Sequence, residues 1–192
     1  MAVRSEESRR SILEATMKLL EDSGPTGFTV QKLSIERIAR EAGVSKTTIY
    51  RWWSSKVAVV IDTFLDNHVA RTPVRNDVPA IEALREHMAS LAEVYAGNEG
   101  RLVAQLIGEC QQDEAAMTEF KKHFWIPRAE AVTSLVERAI SEGSIRRDLD
   151  AQVVTELLYA PIYFRLLFQS GPLEAKATDA VMQTVLEGLA AG

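Results

Sequence analysis

The chain has a single cysteine, Cys110, in 192 residues. That excludes an internal disulfide framework and any Cys-x-x-Cys redox or metal pair. Lacking a second thiol and a clear basic neighbour, Cys110 reads as an inert buried residue rather than an oxidant sensor. Histidine is also sparse, with three in the chain. His68, His87 and His123 stand apart, at no metal-ligand spacing, and no His-Glu-x-x-His pair occurs. There is no glycine-rich loop to cradle a phosphate. No metal and no other cofactor is expected, no catalytic residue is assigned, and an enzyme is the least favoured reading. No apolar run approaches the roughly 18 residues that span a bilayer. The polar start, MAVRSEESRRS, leads into no apolar signal segment. A cytoplasmic chain with no membrane partner is therefore expected.

What the chain has in quantity is helix-forming pattern. A hydrophobic content of 46% argues against disorder. Residues 5–22 carry Ile12, Ala15, Leu19 and Leu20 on one stripe. Asp22-Ser-Gly-Pro-Thr-Gly is a loop by composition. Helical patterns recur over 78–96, 100–111, 114–142, 150–169 and 174–190, with Gly97, Gly143 and Gly171-Pro172 at their ends. Pro127 falls within the third of these and should kink or split it. The run Thr72-Pro-Val-Arg-Asn-Asp-Val-Pro divides the chain into expected domains 1–71 and 72–192. The fold class is all-α.

The densest signal lies in SIERIAREAGVSKTTIYRWWSSK, residues 34–56. Ser34 can cap a helix whose face carries Ile35, Ile38, Ala39 and Ala42. Gly43 supplies a backbone that ends it, since glycine reaches positive φ without a Cβ clash. Val44 is an apolar plug, and Ser45 caps a second helix from Lys46 to about Trp52. Ile49 and Trp53 should face inward, leaving Lys46, Thr47, Thr48, Tyr50, Arg51 and Trp52 outward or sideways. Ser54 or Ser55 then caps a helix opening at Lys56. Two short helices around a tight turn, the second crowded with basic, hydroxyl and aromatic groups, form the layout of a helix-turn-helix DNA reader. Lys56 opposes the dipole of its own helix, which suits phosphate binding better than stability. The alternative is an ordinary helical hairpin in an all-α core.

The run Ile38–Lys56, IAREAGVSKTTIYRWWSSK, resembles the DNA-binding domain of the TetR family of bacterial transcriptional repressors. The resemblance rests on the Ile-Ala pair, the AGVS turn, Thr-Ile-Tyr, Trp53 and Lys56, and extends more weakly to residues 5–65. It implies a homodimer on a palindromic operator, released when a small-molecule effector enters the C-terminal domain, with the protein on the nucleoid when bound. Two features depart from the family pattern. The connection from Gly27-Phe28 to Ser34 is longer than in many relatives, which bears on how Gln31 and Lys32 approach DNA. Val57 stands where an acidic residue is frequent.

Charge fits such a reader. The chain is acidic overall, at −5, yet residues 1–56 hold 10 basic against 7 acidic residues and the remainder 12 against 20. The positive field is local to the DNA-facing part. The expected contacts are Lys46, Thr47 and Arg51 on base edges, and Ser34, Thr48, Tyr50 and Lys56 on phosphates. Trp52 suits either role, and the helix start at Ser45 attracts phosphate. Arg4, Arg9 and Arg10 either meet a neighbouring phosphate or line a solvated face.

The C-terminal part is less explicit. Leu91, Tyr95, Leu102, Leu106, Cys110, Phe120, Phe124, Trp125 and Tyr159 line either an effector pocket or a plain core. Arg128 and Glu109 either orient a ligand there or lie solvated. VVTELLYAPIYFRLLF is apolar nearly all round and needs cover on every side. A second copy is the expected cover, with Tyr159, Ile162, Tyr163, Leu166, Val181, Val185 and Leu189 at or just behind a dimer interface. Arg165 should pair with a carboxylate or a carbonyl. The competing function is a helical protein-interaction module without specific DNA binding. It leaves the surface of residues 46–56 unexplained.

Overall fold

A computed structural model describes residues 2–21 and 30–189. Among these residues the regular elements are all helical: α1 Ala2–Glu21, α2 Ile35–Glu41, α3 Lys46–Tyr50, α4 Lys56–Arg71, α5 Ala80–Ala96, α6 Asn98–Cys110, α7 Glu114–Phe120, a π-helical turn Lys121–Trp125, α8 Ile126–Ser141, α9 Ala151–Phe168 and α10 Ala175–Leu189. The all-α class is as expected. The loop expected at 22–27, Gly27-Phe28 and the side chain of Leu189 lie outside the described residues. The chain divides into two compact units, Met1–Asn67 with Arg101–Trp125, and His68–Gly100 with Ile126–Gly192.

In the first unit α1 packs on α2 and α3. The predicted inward residues are buried: Ile35, Ile38, Ala39, Ile49 and Trp53. Gly43 adopts φ +66°, the left-handed conformation that turns the chain between α2 and α3. The N–H of Val44 returns to the carbonyl of Ala39 at 2.9 Å, satisfying the end of α2. Trp53 is held by chemistry as well as burial. Its indole N–H donates to Asp62 Oδ2 at 3.1 Å. The same carboxylate oxygen accepts from Arg9 at 2.6 Å, and the Arg9 guanidinium lies 6.0 Å from the Trp53 ring centre. Three helices thus converge on one tryptophan, and Arg9 is turned to this joint rather than to a phosphate.

The split expected at Pro127 is present in a specific form. Proline cannot donate a backbone hydrogen bond, and the strain is taken up by the π turn just before it, where the helix widens. Phe120 precedes that turn and Phe124 lies within it. Their rings lie 5.2 Å apart, and Phe124 lies 5.6 Å from Phe64. These two, read as candidate pocket lining, are buried in the core of the first unit.

The second unit packs α5 against α8, α9 and α10. Arg165 donates to the carbonyls of Pro172 and Ala177 at 2.9 and 3.0 Å, tying α9 to α10 as the sequence suggested. Along α9 the inward face is Val154, Leu158, Tyr159, Ile162 and Leu166. Of the residues expected at or just behind the interface, Tyr159, Ile162 and Leu166 lie in the layer behind the surface, with relative exposures of 3%, 0% and 7%. Tyr163 also turns inward, its hydroxyl 3.0 Å from that of Tyr95. The outward stripe is Val153, Leu157, Phe164, Leu167 and Phe168, with Phe168 71% exposed. A helix apolar all round gives no sign of which face its own domain will bury. Val181 and Val185 on α10 are half-buried.

Replacing Trp53 by Ala removes a buried ring and leaves Asp62 without its indole partner. Urea unfolding should show a loss of about 3–5 kcal/mol, the usual range for truncating a buried aromatic. The far-ultraviolet helical signal of the folded protein should change little.

Candidate nucleic-acid interface

The short helix α3 is set by its caps and its anchors. Ser45 Oγ accepts from the Thr48 N–H at 3.1 Å and lies 2.9 Å from Thr48 Oγ1. Ser34 Oγ caps α2 in the same way, accepting from the Arg37 N–H at 3.2 Å. With Ile49 buried beneath, the row Ser45, Lys46, Thr47, Tyr50 and Arg51 is left exposed, and Thr48 and Ser34 are half-buried. The structure thus brings these candidates onto one exposed element. It also supplies a partner that sequence reading missed. Glu36 on α2 accepts from Lys46 Nζ at 2.9 Å, and this pairing draws the carboxyl below and the ammonium above its usual pKa. Glu36 and Lys46 are ten residues apart on different helices, so no local spacing signals the pair.

Two candidates differ from expectation. Trp52 keeps its indole nitrogen buried with no hydrogen-bond partner, so its N–H cannot reach a base or a phosphate. Its ring centre lies 6.3 Å from that of Trp53. Lys56, expected to present its ammonium to a phosphate, holds Glu109 Oε2 at 2.6 Å and the carbonyl of Val30 at 3.3 Å. The cause is α6, which delivers a carboxylate to the start of α4, where the first turn has none of its own. Glu109 is thus neither a ligand-orienting group nor a solvated charge.

A face with this layout is what a major-groove reader presents: a capped helix, exposed basic and hydroxyl groups, and an adjacent helix start. The sequence matches "Bacterial regulatory proteins, tetR family" over residues 12–63 and "Tetracyclin repressor-like, C-terminal domain" over residues 81–185. The chain belongs to the TetR family. It is similar to YdeS of Bacillus subtilis, an uncharacterized HTH-type transcriptional regulator, with 34% identity covering 98% of this chain and 92% of YdeS. The crystal structure of the TetR-family regulator SCO0332 superposes with a TM-score of 0.75 at 30% identity, covering 96% of this chain and all of that one. Thermus thermophilus FadR, a TetR-family repressor solved with lauroyl-CoA, gives a TM-score of 0.72 at 22% identity, covering 96% of both chains, a likeness of fold.

In this TetR-family regulator the residues read as pocket lining fall into two groups. Leu106, Cys110, Phe120, Phe124 and Trp125 belong to the first unit, and Leu91, Tyr95, Arg128 and Tyr159 to the second. Cys110 is buried. Burial, and then the charges of Glu109 and Asp113, raise its pKa to about 11, so it remains a thiol. Arg128 donates to the carbonyl and hydroxyl of Thr72 at 2.6 and 2.9 Å, which fastens α8 to the end of α4. Its guanidinium is therefore committed to the protein itself.

The second unit contains a buried polar chain that periodicity did not reveal. His87 Nδ1 lies 3.1 Å from the Pro73 carbonyl, and its Nε2 lies 3.5 Å from the Tyr159 hydroxyl. Tyr159 meets Tyr163 edge-on, Tyr163 bonds Tyr95, and Tyr95 stacks on His68, which pairs with Glu99. Burial raises the pKa of all three tyrosines, so they stay protonated and can donate. His68 and His87 are isolated in sequence and enter this chain only through helix packing.

His87 makes stability depend on pH. Burial, and then the Arg128 charge, lower its pKa from 6.5 to about 4. Between those values the unfolded chain takes up a proton that the native state refuses. The stability contribution is thus full above pH 6.5, falls as pH drops, and is gone below about 4. The shift corresponds to about 3 kcal/mol. Urea midpoints measured from pH 7.5 to 4.5 should fall in the wild type, and more gently in His87→Gln.

Proposed function

We propose that the protein is a repressor that binds a palindromic operator as a homodimer and releases it when a small molecule binds the C-terminal part. The observation that carries this is the exposed row of Lys46, Thr47, Tyr50 and Arg51 on a helix pinned from below by Ile49 and Trp53. Lys46, Thr47 and Arg51 address base edges. Ser34, Ser45, Thr48 and Tyr50 hold phosphates, and Lys56 joins them once released from Glu109. Trp52 shapes the face from behind. Residues 1–71 form the DNA-binding domain and 72–192 the regulatory and dimerisation domain. The protein works in the bacterial cytoplasm, on the nucleoid when bound, and carries out no catalysis.

Dimerisation follows from the outward stripe of α9. Val153, Leu157, Phe164, Leu167 and Phe168 form a large apolar patch that a second copy covers through the two-fold pairing of α9 and α10. Two readers then meet two half-sites, giving a single five-residue helix enough sequence to recognise. The effector contacts the second unit beside Leu91, where Tyr95, Tyr159 and Tyr163 offer hydroxyl donors. FadR's lauroyl-CoA makes acyl thioesters a rational first class to titrate.

Capture and sequencing of genomic fragments should return a palindromic site. Arg51→Ala should then relax preference at one position per half-site, an effect of about 1–3 kcal/mol for a lost bidentate contact. Uniform weakening across all sequences would move Arg51 to the phosphate group. Phe164→Asp should give a monomer in sedimentation analysis and lose operator binding. A dimer that survives this change would refute the α9 interface.

A further inference from the structure

We propose that Glu109 is an internal competitor of the operator for Lys56, so that the position of α6 sets part of the affinity for DNA. This rests on the reading of the α3–α4 face as the DNA-binding surface.

The contact is a built network rather than a stray surface pair. Lys56 and Glu109 meet at 2.6 Å, with side-chain exposures of only 25% and 23%. One turn earlier on the same face of α6, Gln105 Oε1 accepts from the Val30 N–H at 2.8 Å. Lys56 donates to the carbonyl of that same residue. Two side chains of α6, spaced four apart, therefore hold both the segment entering α2 and the first residue of α4. From α7, Glu119 accepts from the hydroxyl of Ser54 at 2.7 Å, two residues before Lys56. Glu119 also lies 3.4 Å from His123 Nε2. The turn from α3 to α4 thus meets carboxylates from two helices of its own unit.

Each carboxylate occupies a group that a phosphate oxygen would otherwise take. A hydroxyl, an ammonium and a helix start satisfy an anion irrespective of its source. Lys56 on a phosphate must first leave Glu109, and the DNA brings its own negative charge toward that carboxylate. While Glu109 stays in place it subtracts one phosphate contact from the interface. When α6 withdraws, the contact is restored. The effect is blind to base sequence, because phosphates carry none.

The test is operator binding by fluorescence anisotropy across salt, with wild type, Glu109→Gln, Lys56→Ala and the double variant. Glu109→Gln should bind operator and unrelated duplex alike more tightly than wild type. One added phosphate contact steepens the logarithmic salt slope by about 0.9, so the gain should grow about threefold as salt falls from about 200 to about 50 mM. In the Lys56→Ala background the same change should give no gain. Glu109→Asp, which keeps the charge but shortens its reach, should give a smaller gain in the same direction and serves if Glu109→Gln is poorly folded by circular dichroism. Unchanged or weaker binding by Glu109→Gln overturns the proposal, as does a gain that persists without Lys56. A wild-type protein that binds no DNA fragment specifically overturns the DNA-binding reading and this proposal together. A wild type that binds, with a Glu109→Gln that matches it, overturns this proposal alone.

Discussion

A helix of five residues does not hold itself together in water. Isolated helices shorter than about 12–15 residues are marginal even when rich in alanine. The geometry of α3 is therefore borrowed from its surroundings. Gly43 aims it, Ser45 starts it, and Ile49 and Trp53 fix its rotation by entering the core. Trp53 is fixed in turn by Asp62 on α4 and Arg9 on α1. Every exposed side chain of the reader depends on this joint, since a rotation of α3 would turn Lys46 and Arg51 away together. The buried indole is thus a functional residue without facing DNA.

The second unit solves a different problem. Its interior carries hydroxyls, imidazoles and a carboxylate, which are costly to bury unless paired. The pairs are present, from Pro73 through His87, Tyr159, Tyr163, Tyr95 and His68 to Glu99. Such a chain fixes how α5 and α9 face each other more sharply than apolar contacts would, because a slipped helix would strand buried donors. In the proposed effector site these hydroxyls are donors that a bound molecule recruits by exchange rather than by desolvation. The outside of α9 has no such pairing, and in the proposed dimer a second copy closes it.

Much of the reader was legible because its determinants are local. Caps, the turn glycine and the period of Ile35, Ile38 and Ile49 lie within a few residues of one another. What escaped depends on contacts distant in sequence. Lys56 opens α4 and Glu109 lies near the end of α6, with α5 between them, and nothing near either residue announces the other. The inward face of α9 was equally hidden, since Tyr159 and Ile162 look no more apolar than Leu157 and Phe164. Phe120 and Phe124 were ambiguous for a third reason. Aromatic residues at helical spacing suit a cavity wall and a core alike, and only the packing of Phe120 on Phe124, and of Phe124 on Phe64, separates the two. Pro127 predicted a break correctly, but the π turn that absorbs it depends on the helix continuing on both sides.

The charge balance gains meaning once the pairs are known. A net positive charge over residues 1–56 does not equal the field that DNA meets, because Arg9, Lys18, Lys46 and Lys56 each hold a carboxylate. These pairs differ in how readily they exchange. Lys46 and Glu36 are more than half exposed, so water screens their attraction and a phosphate or base can take the lysine at little cost. Lys56 and Glu109 are about three-quarters buried, where the attraction is less screened and separation requires water or phosphate to enter. An easily exchanged pair cannot regulate, since DNA overrides it in any state. A pair held by α6 resists until the helix itself shifts, which makes it the place where a change elsewhere in the chain can be felt as a change in DNA affinity.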